Sequence, residues 1–267
     1  MINTNLSGQV AIVTGGSQGI GAAAAVALGE AGASVALTYN LSQSKAMEIV
    51  AQINKSGSEA IALPLDLQDR QSIGGMVSGT MKQFGRIDIL VNNAAVGSAS
   101  VAHYADADQT DQAILGINTL GVLQCAQAVL PIMVEQNYGK IINVSSVGGG
   151  TTVFPKFKAS DGMSKSAVAF LSKQIVADYP YHSIDAFSIC PGAVNTRMFR
   201  ESTLDHLSEA EKDAFISMLP MKRLIEPEEL ADLILFLCSP VASICRGAVI
   251  DASLGLGVRP GLISEKK

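Results

Sequence analysis

The residues most able to do chemistry by type and spacing form the segment Thr14-Gly15-Gly16-Ser17-Gln18-Gly19-Ile20-Gly21. It follows a short β-branched apolar run, Gln9 to Thr14, and precedes an Ala-rich stretch that continues to about Ala31. Glycine adopts positive φ without a steric penalty and lets a ligand approach the backbone closely, and a helix N-terminus presents unpaired N–H groups. Strand, glycine turn and helix together are the arrangement that receives a pyrophosphate. At the end of the next apolar run, Thr38-Tyr39-Asn40-Leu41-Ser42, there is no carboxylate. An acid at that point would bind a ribose 2′-hydroxyl and repel a 2′-phosphate, so Asn40 leans the site toward NADP over NAD. Gln18 stands where an Arg would clamp that phosphate, so the lean is slight.

These residues need a scaffold that places strand ends side by side. Apolar runs at Ser34 to Tyr39, Glu59 to Leu65, Ile87 to Val91, Lys140 to Val144, Ile184 to Ile189 and Ala248 to Ile250 are separated by helical patterns, the first at Ser42 to Ser56. Strand–helix alternation predicts an α/β fold, a Rossmann-type doubly wound parallel sheet with helices on both faces. No linker or repeat divides residues 1–267, so one domain is expected. The mixed apolar and acidic stretch 195–227 reads as a helical insertion after a strand, a candidate substrate lid or else a surface hairpin.

Composition narrows the function. The 267 residues are 48% hydrophobic, lack Trp and carry a formal charge of -5, with no basic stripe to neutralise a phosphate backbone. Nucleic acid and anionic membrane are therefore not expected partners. No run reaches the roughly twenty uninterrupted apolar residues of a membrane span, and the N-terminus lacks a signal-peptide pattern, so a cytoplasmic protein is expected. Cys125, Cys190, Cys238 and Cys245 form no Cys-x-x-Cys pair and read as buried thiols. His103, His182 and His206 have no ligand spacing, so no metal site is expected.

The glycine spacing, Thr-Gly-x-x-x-Gly-x-Gly, resembles that of the short-chain dehydrogenase/reductase family, and further matches follow in order along the chain. Asp66-Leu67 is similar to the pair that contacts adenine, and Asn92-Asn93-Ala94-Ala95 to the element that steadies the central sheet. Asn118 resembles the active-site Asn, Ile141 to Ser146 the strand carrying the catalytic Ser, and Lys165 the catalytic Lys. Pro191-Gly192 with Val194 and Thr196 resembles the segment that binds the nicotinamide carboxamide. The resemblance is to 3-oxoacyl carrier protein reductase-like members. It implies an NAD(P)-dependent oxidoreductase acting on a small or acyl-type carbonyl or alcohol. Gly15, Ser17, Gln18, Gly19, Ile20, Asn40, Asp66, Leu67, Asn93, Ala94, Lys165, Pro191, Gly192, Val194 and Thr196 would contact the cofactor. It also implies a homotetramer or homodimer paired through the Lys-bearing helix and the C-terminal segment.

The resemblance breaks at one position. The family pattern is Tyr-x-x-x-Lys, and four residues before Lys165 stands Asp161. No Tyr lies between Ser146 and Lys165, and the Ser-to-Lys spacing is longer than the family's, which predicts an altered loop through Thr151 to Lys158. A phenol with a pKa near 10 is replaced by a carboxyl with a pKa near 3.9, and Lys165 at i+4 is expected to favour the anion further. A carboxylate accepts a proton but cannot donate one, whereas strong burial would raise the Asp161 pKa and restore an acid role. Two uses of the site besides altered redox chemistry stay open, a non-redox isomerase, dehydratase or cyclase with Asp161 as base, and a catalytically silent nucleotide-binding subunit. At single residues, Ser146 also reads as a strand-end hydroxyl, Asn118 as a helix-bending or capping residue, and Asp161 as a surface partner of Lys165.

Overall fold

A computed structural model of the chain describes residues 5–97, 100–101, 104, 106–155 and 157–259. His103 lies outside them. The strands are β1 (Val10–Val13), β2 (Ser34–Tyr39), β3 (Ala60–Pro64), β4 (Ile89–Asn92), β5 (Gly139–Val144), β6 (Ile184–Pro191) and β7 (Val249–Ala252). They form one seven-stranded sheet in the order β3-β2-β1-β4-β5-β6-β7, with every pairing parallel. The chain winds outward from β1 in one direction and from β4 in the other. The switch point between those two strands opens a crevice at their carboxyl ends. The α/β, Rossmann-type reading of the sequence is what the structure shows.

Helices α1 (Gly19–Glu30), α2 (Gln43–Lys55), α3 (Arg70–Phe84), α4 (Ala107–Leu115) and α5 (Val122–Gln136) follow the first four strands. A four-residue turn, α6 (Val147–Gly150), and the long α7 (Ala159–Asp178) follow β5. Beyond β6 come α8 (Arg197–Phe199), α9 (Glu209–Met218) and α10 (Pro227–Cys238). Strand side chains alternate between the two faces, which sorts the core into two layers. Ala11, Val13, Ile89 and Val91 pack with α1, α2 and α10, whereas Ile12 and Leu90 pack with α3, α5 and α7. Both layers are needed because a parallel sheet exposes an apolar surface on each side.

A π-helical stretch, Gly116–Gly121, joins α4 to α5 and makes 107–136 one continuous helix. By length and composition this helix would cross a membrane, a point that scanning for uninterrupted apolar residues missed, yet half of its apolar window is buried within the fold. Cys125, Cys190 and Cys238 are buried as expected, but Cys245 is only half-buried, because it lies on the 3₁₀ turn Pro240–Cys245 at the surface.

Candidate active site

The glycine turn is held from three sides. Gly15 N–H donates to Thr38 Oγ1 at 3.1 Å and Gly16 N–H to Thr38 O at 2.9 Å, tying it to β2. From the β4 side Asn93 Nδ2 donates to Thr14 O at 3.0 Å and Gly15 O at 3.2 Å. Gly15 and Gly19 have φ of +66° and +56°, the region where side chains are strained. A Cβ on Gly15 would press on Ala94 and Asn93 at 3.0–3.2 Å, and one on Gly21 would strike Gly15 O. The turn leads into α1, whose N-cap residue Gln18 makes no side-chain cap bond and whose first turn has no acid. The positive end of that helix is thus not neutralised from within.

The loop after β6 closes the opposite side. Ile20 packs with Val194, and a Cβ on Gly19 would lie 3.2 Å from the Thr196 methyl. Gly192 sits against Ser253, with its Cβ position 3.0 Å from the Ser253 Cβ. The structure therefore sets the turn carrying Gly15, Gly19 and Ile20 between Asn93 and Ala94 on one side and Val194 and Thr196 on the other, with Ser17 and Gln18 within the turn and Pro191 and Gly192 leading into the loop after β6. This cradle, narrow enough that Cβ atoms would crowd it and facing an uncapped helix end, fits a dinucleotide pyrophosphate. Asn40 is exposed just beyond β2. Asp66 and Leu67 differ from each other. The Asp66 carboxylate accepts from Gln68 N–H at 2.9 Å, while the Leu67 side chain is buried against Gly121, so only the Leu67 backbone can face a ligand. Reading residue types along β2 misses Lys45, exposed in the first turn of α2 where Ser42 makes no side-chain cap bond.

On the far side of the crevice, β5 delivers Ser145 and Ser146. Ser145 Oγ donates to Lys165 O at 2.7 Å and so fastens the strand end to α7. Ser146 caps the α6 turn, its Oγ accepting from Gly148 N–H at 3.2 Å. Lys165 points back along the strand, its Nζ 3.5 Å from Val144 O. Asn118 does not reach this cluster with its side chain. It lies buried in the π-helical stretch, accepting from Val96 N–H and donating to Val96 O, both at 2.9 Å. Its bond pair fixes the loop that follows β4.

Asp161 and Lys165 lie one turn apart on α7 and interact electrostatically. The expectation that Lys165 drives the Asp161 pKa below the usual carboxyl range is corrected. Burial raises it, and the attraction of Lys165 offsets only part of that rise. Burial likewise lowers the Lys165 pKa, against the opposing pull of Asp161. Desolvation disfavours both charged forms, and here it outweighs the pair's mutual attraction.

The segment between Ser146 and α7 is a tight excursion. Gly149 at φ +94° packs on the Gly162 backbone, and its N–H donates to Thr152 O at 2.7 Å. The Phe157 ring lies between Gly148 and Gly162, 3.1 Å and 3.5 Å from where their Cβ atoms would be. Phe154 joins Val147, Ala193, Leu219, Phe199 and Phe215 in one apolar cluster, linking this excursion to the segment after β6. That segment is pinned at both ends, Ile225 N–H donating to Ala193 O at 2.9 Å and Asn195 N–H to Ile225 O at 2.8 Å. No group of three His, Cys, Asp or Glu side chains among the described residues is placed to hold a metal.

Comparison with known proteins agrees with this geometry. Residues 15–257 match the family described as enoyl-(acyl carrier protein) reductase. The chain is 30% identical to a 3-oxoacyl-[acyl-carrier-protein] reductase of Synechocystis sp. over 95% of its own length and 98% of that protein. It is 31% identical to a 7alpha-hydroxysteroid dehydrogenase of Clostridium sardiniense, covering 97% of each. Among solved structures it superposes on levodione reductase with a TM-score of 0.85 at 28% identity, over 95% of this chain and 99% of that one. A putative short-chain alcohol dehydrogenase of Sinorhizobium meliloti gives 0.84 at 31% identity, over 95% and 98%. With the sheet order, the glycine cradle and these relatives in agreement, the chain belongs to the short-chain dehydrogenase/reductase family and is an oxidoreductase of that type.

Proposed function

We propose that this enzyme interconverts a small or acyl-type secondary alcohol and its carbonyl with NADP, and that Asp161 performs the proton transfer the family assigns to Tyr. The observation that carries this is the half-buried carboxyl of Asp161 one helical turn from Lys165, with Ser145, the neighbour of Ser146 at the end of β5, bonded to the Lys165 carbonyl. The nucleotide would be held by the turn Gly15 to Ile20, by Asn40, Asp66 and the Leu67 backbone on the adenosine side, and by Asn93, Ala94, Lys165, Pro191, Gly192, Val194 and Thr196 toward the nicotinamide. When bound it supplies the hydride acceptor or donor. Absence of a carboxylate at Asn40, with Lys45 nearby in the first turn of α2, supports NADP over NAD.

The chain's own residues then divide the proton chemistry. Ser146 Oγ–H donates a hydrogen bond to the substrate oxygen. In the oxidative direction the Asp161 carboxylate accepts the alcohol proton as the carbinol C–H bond breaks and the C=O bond forms. In the reductive direction only the protonated carboxyl can supply that proton, and Lys165 opposes protonation. Burial favours that protonation and outweighs Lys165, so the same carboxyl serves as base in oxidation and as acid in reduction.

The test is NADP reduction at pH 8 with cyclohexanol, 2-octanol and a 3-hydroxyacyl thioester, wild type against Asp161→Asn. Loss of roughly 10²- to 10⁴-fold in kcat is expected for removal of a general base, with the dissociation constant for NADP unchanged. Turnover that survives the substitution, or no turnover of any of these alcohols, defeats the reading. The segment 195–227 is proposed as the substrate lid of one domain, since the apolar cluster joins it to the excursion beside Asp161.

A homo-oligomer is also proposed. Phe170 and Met163 on α7 are 62% and 61% exposed, and Leu120 on the neighbouring π-helical stretch is 54% exposed, an apolar face suited to burial between copies. Light scattering that gives a monomer at micromolar concentration rejects this.

A further inference from the structure

Resting on the reading of Asp161 just given, we infer that Asp111 is a positioning residue that sets Asp161 in place through the first turn of α7. Asp161 is the third residue of α7, within the turn of a helix most prone to fray. The helix has no side-chain cap of its own, because its N-cap position is Lys158, which carries no acceptor. The anchor comes from another element. On α4, Asp111 Oδ1 accepts from Lys158 Nζ at 2.8 Å and from Ser160 Oγ at 2.7 Å, so one carboxylate oxygen grips both residues flanking the start of the helix.

Three further observations point the same way. Ser160 is buried and next to Asp161 in sequence, so the donor end of its bond to the half-exposed Asp111 is held inside the fold. Hydrogen bonds from Lys158 and then Ser160 lower the Asp111 pKa, which keeps it a charged acceptor wherever Asp161 titrates. And α4 runs directly into the π-helical stretch carrying Asn118, which fixes the loop after β4. Asp111 therefore ties the Asp161-bearing helix to the element that borders the opposite side of the crevice. Because Lys158 and Ser160 straddle the first residue of α7, the tie bears on where the helix begins.

The experiment uses the intact enzyme and the alcohols named above. Asp111→Ala and Ser160→Ala are each expected to lower kcat about tenfold, since small misplacements of a reacting group are costly, while NADP affinity measured by calorimetry stays within about twofold. Asp111→Asn, which keeps an acceptor for Ser160 but loses the charge that holds Lys158, should fall between wild type and Asp111→Ala. A second readout does not depend on turnover. The Gly162 N–H bonds to Lys158 O at 3.0 Å, and its hydrogen exchange should speed up in Asp111→Ala while amides later in α7 keep their protection. Unchanged kcat and unchanged Gly162 exchange would overturn the inference with Asp161's role intact. If Asp161→Asn is harmless, the reading of Asp161 fails, whatever the Asp111 variants do. Equal loss of protection all along α7 would reduce Asp111 to a stability contact and also overturn it.

Discussion

The two walls of the crevice are built by opposite means. The nucleotide wall is mostly backbone, with Gly15 and Gly19 at positive φ, Gly21 against Gly15 O, and the Thr38 and Asn93 bonds holding the turn to its neighbouring strands. The proton-transfer wall is mostly side chains drawn from distant segments, with Ser145 on the Lys165 carbonyl, Asp111 on Lys158 and Ser160, and Phe154 and Phe157 packed over a run of glycines. A wall of constrained backbone tolerates no added atoms but does not depend on which neighbour lies where. A wall of contacts can exchange its functional group, as the role proposed for Asp161 requires, provided the supporting contacts change with it.

The largest expected loss of nucleotide affinity comes from breaking the first wall. Gly19→Trp should weaken NADP binding by roughly 100-fold or more, about 2.7 kcal/mol, because the indole must occupy the space between the turn and Thr196. Calorimetric titration reads it directly, and affinity within tenfold of wild type would show that this turn is not where the pyrophosphate binds. The kcat loss in Asp161→Asn is of similar or greater size but lies on the other wall, so it should leave nucleotide affinity alone. The two variants together separate the walls. If either one disturbs both affinity and kcat, the walls are mechanically coupled and the comparison fails.

This contrast also explains what could be read from sequence. Six strands and the glycine turn were legible because short, continuous apolar runs and glycines report local conformation, and the ends of most strands moved by only one or two residues, as for β1, expected at Gln9 to Thr14 and found at Val10–Val13. The seventh, near Ala248, was also placed, although it is a four-residue edge strand. Asn118 was legible as a residue but not as a geometry, since no residue type announces a π-helical stretch. Which of two opposing forces sets the Asp161 pKa was not legible either, although burial stood beside Lys165 as one of them. Spacing revealed Lys165 at i+4, which lowers it, but gave no measure of the burial that outweighs Lys165. Asp111 escaped notice for the same reason, because its partners lie some fifty positions away in sequence, and nothing local to α4 marks it as an anchor.

The smallest expected effect sharpens the nucleotide wall at its edge, where side-chain charge rather than backbone shape decides. Asn40 is exposed just past the end of β2, with Ser42 at the N-cap of α2 and Lys45 in the first turn of that helix. Asn40→Asp adds a negative charge of nearly the same volume beside the place a 2′-phosphate would take, and the same carboxylate can accept a hydrogen bond from a free 2′-hydroxyl. At an exposed position solvent screens the repulsion, so about 1 kcal/mol, or roughly fivefold weaker NADP binding, is expected at low salt, with NAD binding unchanged or slightly stronger. The distinguishing feature is ionic strength. If charge is the cause, the loss should shrink toward unity as salt rises to about 1 M, where the screening length is only about 3 Å. A salt-independent loss would instead mean that Asn40 contacts the adenosine ribose through its amide. An equal loss for NAD and NADP would show that the end of β2 does not discriminate between them.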